Sequence, residues 1–136
     1  MSDQQNNTDQ QASQWVREQY LKATKYLADK GYVTDSVKMV DSRYLVPAVA
    51  VWKLNTLKNE QIWVISGDLP CDHIPVSAAS DAREALRNFS LKWQIQAQNL
   101  LTSVNDSTQQ QFADVLINRA EALYQLFEND KLWGKS

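Results

Sequence analysis

Apolar residues near the N-terminus recur at the spacing of one helix face: Trp15, Val16, Tyr20, Ala23 and Leu27. Ser13 precedes this stripe as an N-cap residue, and Gly31 follows it where a C′ glycine closes a helix. The pattern predicts an amphipathic helix from Ser13 to Lys30 whose aromatic side chains belong to the core. Residues 1–11 are rich in Gln, Asn and Asp, so we expect a disordered tail there.

Short apolar runs then replace the helical spacing. The valine-rich run Ser36–Val40 and the apolar runs Tyr44–Leu54 and Gln61–Ile65 are typical of strands, and the polar segments between them have the length of turns and hairpin loops. They predict a small antiparallel sheet of about three strands, in which Trp52 and Trp63 lie near opposite positions and fix the register. The second strand is apolar on both faces, which predicts a strand buried on both sides.

Two long helical stripes fill the C-terminal part of the chain. The first begins after Asp81 and contains Ala82, Ala85, Leu86, Phe89, Trp93, Ala97, Leu100, Leu101 and Val104. Asn105, Asp106 and Ser107 break it, and Thr108 with Gln111 fits a capping box. The second stripe contains Phe112, Leu116, Ala120, Leu123 and Phe127.

The second stripe is widened by further apolar residues: Val115, Ile117, Ala122, Tyr124 and Leu126. This width predicts a helix that is buried over much of its circumference. The short connection predicts that the two long helices are antiparallel neighbours. Leu132 and Trp133 in the C-terminal segment are expected to fold back as an anchor.

The predicted fold class is therefore α+β: an N-terminal helix, the small antiparallel sheet, and two long antiparallel helices packed on that sheet. We expect residues 12–136 to form a single domain, because a chain of 136 residues supports one core. The side chains that should be largely buried in this core are those of Trp52, Trp63, Phe89, Trp93, Leu116 and Leu123.

Composition excludes several classes of protein. Lys and Arg total 14 and Asp and Glu total 16, so no electrostatic signature of nucleic-acid binding is present. No apolar run approaches the roughly 20 residues of a membrane helix, and the N-terminus does not resemble a secretory signal. The single cysteine, Cys71, fits a reducing compartment, so a cytoplasmic protein is expected.

Candidate chemistry is concentrated after the third predicted strand, in a loop that contains Asp68, Cys71, Asp72 and His73. Cys71 and His73 could form a reactive thiolate pair if the thiol is exposed and its pKa is lowered. The alternative is structural: the two aspartates hold the turn through backbone hydrogen bonds, and the thiol and imidazole pack. We favour the structural interpretation, and we predict no catalytic residue, no cofactor and no metal site.

Three further features could make contacts with other groups. Arg83 and Arg87 lie one turn apart on the first long helix. They could pair with Asp68 or Asp72 if the loop packs over the start of that helix, or with an anion, but we favour a solvated helix face. Leu91 and Ile95 lie off the main stripe of the same helix. They are expected to meet another element or the partner chain of a homo-oligomer.

Three segments of the chain resemble a known family. They are Leu45–Lys53, Trp63–Pro75 and Ala82–Trp93, and the most specific pattern is Trp-x-Ile-Ser-Gly-Asp-x-Pro-x-Asp from Trp63 to Asp72. The sequence is similar to an uncharacterised family of small bacterial, mainly gammaproteobacterial, proteins. The resemblance implies a bacterial cytoplasmic protein with one domain, and it implies no catalytic residues.

The sequence leaves two functional hypotheses. The favoured one is a small cytoplasmic binding or protein-interaction module, since no complete catalytic constellation is present. The alternative is a small hydrolase-like enzyme that uses the loop from Asp68 to His73. A cleft lined by that loop would favour the enzyme, and a loop with satisfied side chains would favour the module.

Overall fold

The computed structural model describes residues 2–38, 41–45, 48–103 and 106–134, with side chains described from Gln10 onward. Contacts between Cα atoms divide the chain into two compact units, Met1–Ser77 and Ala78–Ser136. Met39 and Val40, at the end of the first predicted strand, lie outside the described residues. The same holds for residues 104–105, at the end of the first long helix. That residues 12–136 form one domain stays a prediction.

The first helix, α1 (Ser2–Asp29), begins at Ser2 instead of at the predicted cap Ser13. Its backbone takes in most of residues 1–11, because each residue added to an existing helix gains one hydrogen bond. That these residues are disordered in solution stays a prediction. The other end is as predicted: Gly31 has a φ of 93°. Its N–H donates to Ala28 at 3.0 Å and that of Tyr32 donates to Leu27 at 2.8 Å, which is a Schellman motif.

In the described part of the chain, five antiparallel strands form one sheet, which is more than the roughly three expected. They are β1 (Thr34–Val37), β2 (Arg43–Leu45), β3 (Val49–Thr56), β4 (Gln61–Gly67) and β5 (Asp72–Pro75). The order is β1-β3-β4-β5, and β2 also pairs with β3. The larger number arises because the second predicted strand is split and because part of the predicted loop joins the sheet.

The predicted pairing of Trp52 with Trp63 is wrong. Trp52 lies opposite Val64, and Trp63 lies opposite Lys53. Because successive residues of a strand point to opposite faces, the two indole rings lie on different sides of the sheet. Instead, the Lys53 ammonium lies 5.5 Å from the centre of the Trp63 ring, which is a cation–π distance.

One face of the sheet packs against α1. Ala23 and Leu27 of the helix form a buried cluster with Ala50, Trp52, Leu54, Ile62 and Val64 of the two central strands. The opposite face is also buried, at Val49, Val51, Trp63, Ile65 and Ile74. This confirms the prediction that the central strand is buried on both sides.

Serine side chains satisfy polar groups where the sheet is buried. The Trp52 indole N–H donates to the Ser66 hydroxyl at 3.1 Å, and that hydroxyl donates to the Gln19 carbonyl at 3.2 Å. Between β1 and β2, the Lys53 N–H donates to the Ser42 hydroxyl at 3.0 Å. The Ser42 hydroxyl in turn donates to the Lys38 carbonyl at 2.9 Å, so it bridges the gap between the two short strands.

The described residues of the second unit form two α-helices, α2 (Ala82–Ser103) and α3 (Ser107–Glu128), and a short 3-10 helix, Asp130–Trp133. The Ser90 hydroxyl donates to the Ala120 carbonyl at 2.7 Å, and the Arg83 side chain donates to the Phe127 carbonyl at 2.8 Å. Arg83, near the start of α2, thus pairs near the end of α3, and Ser90, further along α2, pairs with an earlier residue of α3. The two helices are therefore antiparallel, as predicted. All six predicted core residues are at most 1% exposed.

Two predictions for α3 are wrong. Asp106, not Thr108, caps the helix, because its carboxylate accepts the Thr108 N–H at 2.9 Å. The buried part of α3 is a narrow stripe of Ala113, Leu116, Ala120 and Leu123, and not most of its circumference. The predicted fold-back of the C-terminal segment is confirmed: the Trp133 indole N–H donates to the Leu126 carbonyl at 3.0 Å.

Candidate functional site

The predicted loop is half turn and half strand. β4 ends at Gly67, whose φ of 141° is accessible mainly to glycine. The Asp68 N–H then donates to the Ala48 carbonyl at 3.0 Å and fixes the chain reversal. β5 follows and pairs with β4, with His73 opposite Val64 and Ile74 opposite Trp63. The sheet therefore positions His73 through backbone pairing.

The His73 imidazole lies between two tyrosines of the first unit. The Tyr26 hydroxyl is 2.9 Å from His73 Nδ1, which is a hydrogen bond whose direction depends on the tautomer. The ring centres of Tyr26 and Tyr32 lie 5.6 and 5.5 Å from that of the imidazole. The sequence assigned the aromatic side chains of this helix to the core without singling out Tyr26, whose polar tip is the signal for a partner, because a buried tyrosine hydroxyl requires one.

Tyr26 is held in its neutral form. Burial raises the pKa of Tyr26 to about 12, and the negative charge of Asp72, with a hydrogen bond to it, acts in the same direction. At neutral pH the phenol is therefore protonated and cannot act as a base. The contacts of Tyr26 with His73 and Asp72 therefore indicate a packed, hydrogen-bonded corner of the sheet and not a catalytic base.

Cys71 is half-buried next to this corner. Burial raises the pKa of the Cys71 thiol; the Lys22 ammonium opposes the shift and the Asp72 carboxylate adds to it. The Lys22 ammonium also donates to the Gly67 carbonyl at 3.0 Å. A reactive cysteine needs a lowered pKa, so this environment favours a thiol that stays protonated at neutral pH.

The two aspartates of the loop have different surroundings. The Asp72 carboxylate accepts the His73 backbone N–H at 2.8 Å. Asp68 is exposed, and its backbone N–H, not its carboxylate, makes the bond that holds the turn. The Asp72 carboxylate therefore makes a backbone hydrogen bond, but inside β5, so its part in holding the turn stays a prediction. At Asp68 the backbone N–H and the neighbouring Gly67 form the turn.

Arg83 and Arg87 lie in the second unit. The Arg83 guanidinium donates to the Phe127 carbonyl and to the Asp130 carboxylate. Its Cζ atom also lies 5.4 Å from the centre of the Phe127 ring and 5.9 Å from the centre of the Trp133 ring, which are cation–π distances. Arg83 thus holds the end of α3. The prediction of a solvated helix face is therefore wrong for this residue. Arg87 is half exposed and makes an ion pair with Glu84 at 3.7 Å.

The described residues form clefts that are large enough to hold a small group, and three of them stand out. They measure about 550 Å³ along α1, about 230 Å³ between Tyr32 and Lys58, and about 360 Å³ between α2 and α3. Among the described residues that line these three clefts, neither Asp72 nor His73 occurs. In the same part of the chain, no three side chains of His, Cys, Asp or Glu converge as metal ligands would.

Large apolar side chains are exposed mainly on the two long helices. Leu91 and Ile95, the pair expected to make further contacts, are 43% and 63% exposed. Further exposed residues of this kind on α2 and α3 are Leu101, Phe112, Val115, Ile117 and Tyr124. Sequence periodicity predicts that most of them belong to the core. That prediction is wrong because periodicity shows which residues are apolar, but not how much of the helix surface a neighbouring element covers.

The fold defines a small α+β protein in which a helix-covered antiparallel sheet is followed by a helical hairpin. The chain belongs to the family described as Domain of unknown function (DUF4826), whose model matches residues 9–133. Neither the curated proteins nor the solved structures gave a match. Within the described residues, no helix has the length and apolar character that crossing a bilayer requires.

Proposed function

We propose that the protein is an interaction module that binds the amphipathic helix of another protein along one flank of α3. The observation that carries this proposal is a second apolar stripe beside the buried one: Phe112, Val115, Arg119, Ala122 and Leu126. Its members are three and four residues apart alternately, which is the spacing of a coiled-coil seam. We call this stripe the α3 flank.

Apart from Arg119 the α3 flank is apolar, and it is exposed at Phe112, Val115 and Ala122. Phe112 and Val115 are each 43% exposed, although both are large hydrophobic residues. The neighbouring stripe, one residue along, is buried at Ala113, Leu116 and Ala120. Exposed apolar stripes of this kind mark contact surfaces on folded proteins, and a helix is the shape that a heptad seam accommodates.

Arg119 determines the chemistry of the partner. It occupies the middle of the α3 flank, and within the described residues no ion pair or hydrogen bond of its side chain is found. If the partner were a second copy of α3 with its flank centred on Arg119, one Arg119 would face the other, whether the two helices were parallel or antiparallel. A partner helix with a carboxylate at the facing position would instead form a charge-assisted pair.

The enzyme alternative lacks a comparable observation. The contacts of Asp72, His73 and Tyr26 account for those side chains as a packed corner, and the Cys71 thiol is kept protonated. We include a bacterial cytoplasmic setting in the proposal. It is supported by the family resemblance and by the single cysteine in the sequence.

Two synthetic helical peptides test the proposal. Each has leucine at the a and d positions of about three heptads, and they differ only in the central seam residue, Glu in one and Lys in the other. In fluorescence anisotropy, we expect the full chain to bind the glutamate peptide about tenfold more tightly, because close charge pairs at interfaces are coupled.

Charge reversal is the matched control. Arg119→Glu should reverse the preference between the two peptides, and Val115→Lys should abolish the binding of both. Equal affinities for the two peptides, or binding that survives Val115→Lys, would contradict the proposal.

A further inference from the structure

α2 carries a seam of its own, on residues that lie outside its buried stripe. Its members are Glu84, Asn88, Leu91, Ile95, Gln98 and Thr102, spaced four and three residues apart alternately. Leu91 and Ile95, at the centre, are 43% and 63% exposed. We call this set the α2 seam. Two large apolar residues, flanked on both sides by neutral polar ones, form the pattern of a small contact surface.

We propose that the α2 seam binds the α2 seam of a second copy of this chain, antiparallel, around a two-fold axis level with Trp93. Trp93 is the midpoint between Leu91 and Ile95, so Leu91 of one copy meets Ile95 of the other. The same axis sets Asn88 against Gln98 and Glu84 against Thr102. Apolar residues then meet apolar ones, and amides meet amides, as a self-complementary two-fold interface requires.

Among the six members of the α2 seam, charges do not oppose this pairing. Glu84 is the only charged member of the α2 seam; it lies at the end, faces a threonine, and already pairs with Arg87 at 3.7 Å. The Asn88 amide donates to the Ala78 carbonyl at 3.3 Å and keeps its own oxygen as an acceptor for glutamine.

Two other exposed stripes, both on α3, are less suited to a two-fold contact. On the α3 flank, the axis would set Arg119 against its copy. On the side of α3 that carries Ile117 and Tyr124, it would set Ile117 against Glu121, which buries a carboxylate against an aliphatic chain. The self-contact is therefore assigned to α2, and it is independent of the partner helix proposed for α3.

The interface is small. Two apolar residues from each copy bury less than the roughly 1,200 Å² typical of stable complexes, so a weak, concentration-dependent dimer is expected. Sedimentation equilibrium of the full chain, from tens of micromolar to about millimolar, should show association, and Ile95→Lys should abolish it, since a desolvated unpaired ammonium is costly.

Paired charge variants fix the register. Asn88→Lys with Gln98→Glu places opposite charges across the axis twice, whereas Asn88→Lys with Gln98→Lys places like charges there twice. The first variant should dimerise more tightly than the second, by about fivefold or more, from two surface pairs per dimer. Equal dissociation constants would overturn the register.

Disulfide cross-linking fixes the orientation, in a Cys71→Ser background. A mixture of Leu91→Cys chains and Ile95→Cys chains should form mostly the mixed cross-linked dimer. Cross-links between identical chains in excess would indicate a parallel pairing and overturn the proposal. A wild-type chain that stays monomeric at about millimolar concentration would also overturn it, since even weak specific dimers associate there.

Discussion

Gly67 is the residue on which the exit from β4 depends. A Cβ atom at this position would lie 2.4 Å from the Ala48 carbonyl oxygen and 2.9 Å from the Val49 Cα, both of them backbone atoms. Gly67→Ala should therefore destabilise the protein by about 2–4 kcal/mol in urea unfolding, from a strained φ and a steric clash.

Gly134 provides the matched control. Its φ is also positive, at 74°, but a Cβ there would meet no atom within 4 Å. Gly134→Ala should cost only the conformational strain, about 1 kcal/mol. Similar losses for the two variants would show that the close approach to Ala48 does not hold the turn.

Cys71 allows the loop chemistry to be tested by pH. Burial raises the pKa of the Cys71 thiol, so the reactive thiolate should be populated only above the ordinary midpoint of about 8.5. The rate of alkylation by iodoacetamide should rise with pH to a midpoint above that value, and His73→Ala should leave the midpoint unchanged. A midpoint near neutrality that is lost in His73→Ala would make the loop an active site.

At the scale of elements, the two phenylalanines of the long helices should differ sharply. Phe89 of α2 is fully buried, while Phe112 of α3 is 43% exposed. Phe89→Ala should lower the free energy of unfolding by about 3–5 kcal/mol, whereas Phe112→Ala should stay below about 1 kcal/mol. Equal effects in urea melts would contradict the assignment of a narrow buried stripe.

The same elements show what the sequence could and could not predict. Helical spacing identified the helices, and Gly31 marked the end of α1, because these signals depend on neighbouring residues only. The predicted pairing of Trp52 with Trp63 is wrong because the register of the hairpin differs by one residue from the predicted one, and a shift of one residue moves a side chain to the other face of the sheet. β5 was missed because its four residues, Asp72–Pro75, carry no alternating pattern.

The candidate site was predicted in part. The sequence indicated the segment that contains His73, since it holds the only histidine and the only cysteine. The tyrosines that surround the imidazole come from α1 and the segment after it, and their approach depends on packing between elements distant in sequence. Arg83 was assigned to solvent for the same reason: its partners, Phe127 and Asp130, lie more than 40 residues away.

For the whole molecule, we expect one cooperative unfolding transition, because a chain of this length supports a single domain. Differential scanning calorimetry should give a calorimetric enthalpy equal to the van't Hoff enthalpy, and Phe89→Ala and Gly67→Ala should lower the same midpoint. Two separate transitions, each shifted by only one of these variants, would show that the two compact units unfold independently.

The gap that Ser42 bridges has a consequence for solubility. β1 and β2 cover different parts of β3, so the sheet ends there in two short pieces and not in one long strand. Along the described residues of this edge, a strand from another molecule would find no continuous row of unpaired N–H and C=O groups to extend. Basic side chains at Lys38 and Arg43 flank the interruption. Natural proteins use short, broken, charged edges of this kind to resist amyloid-like growth.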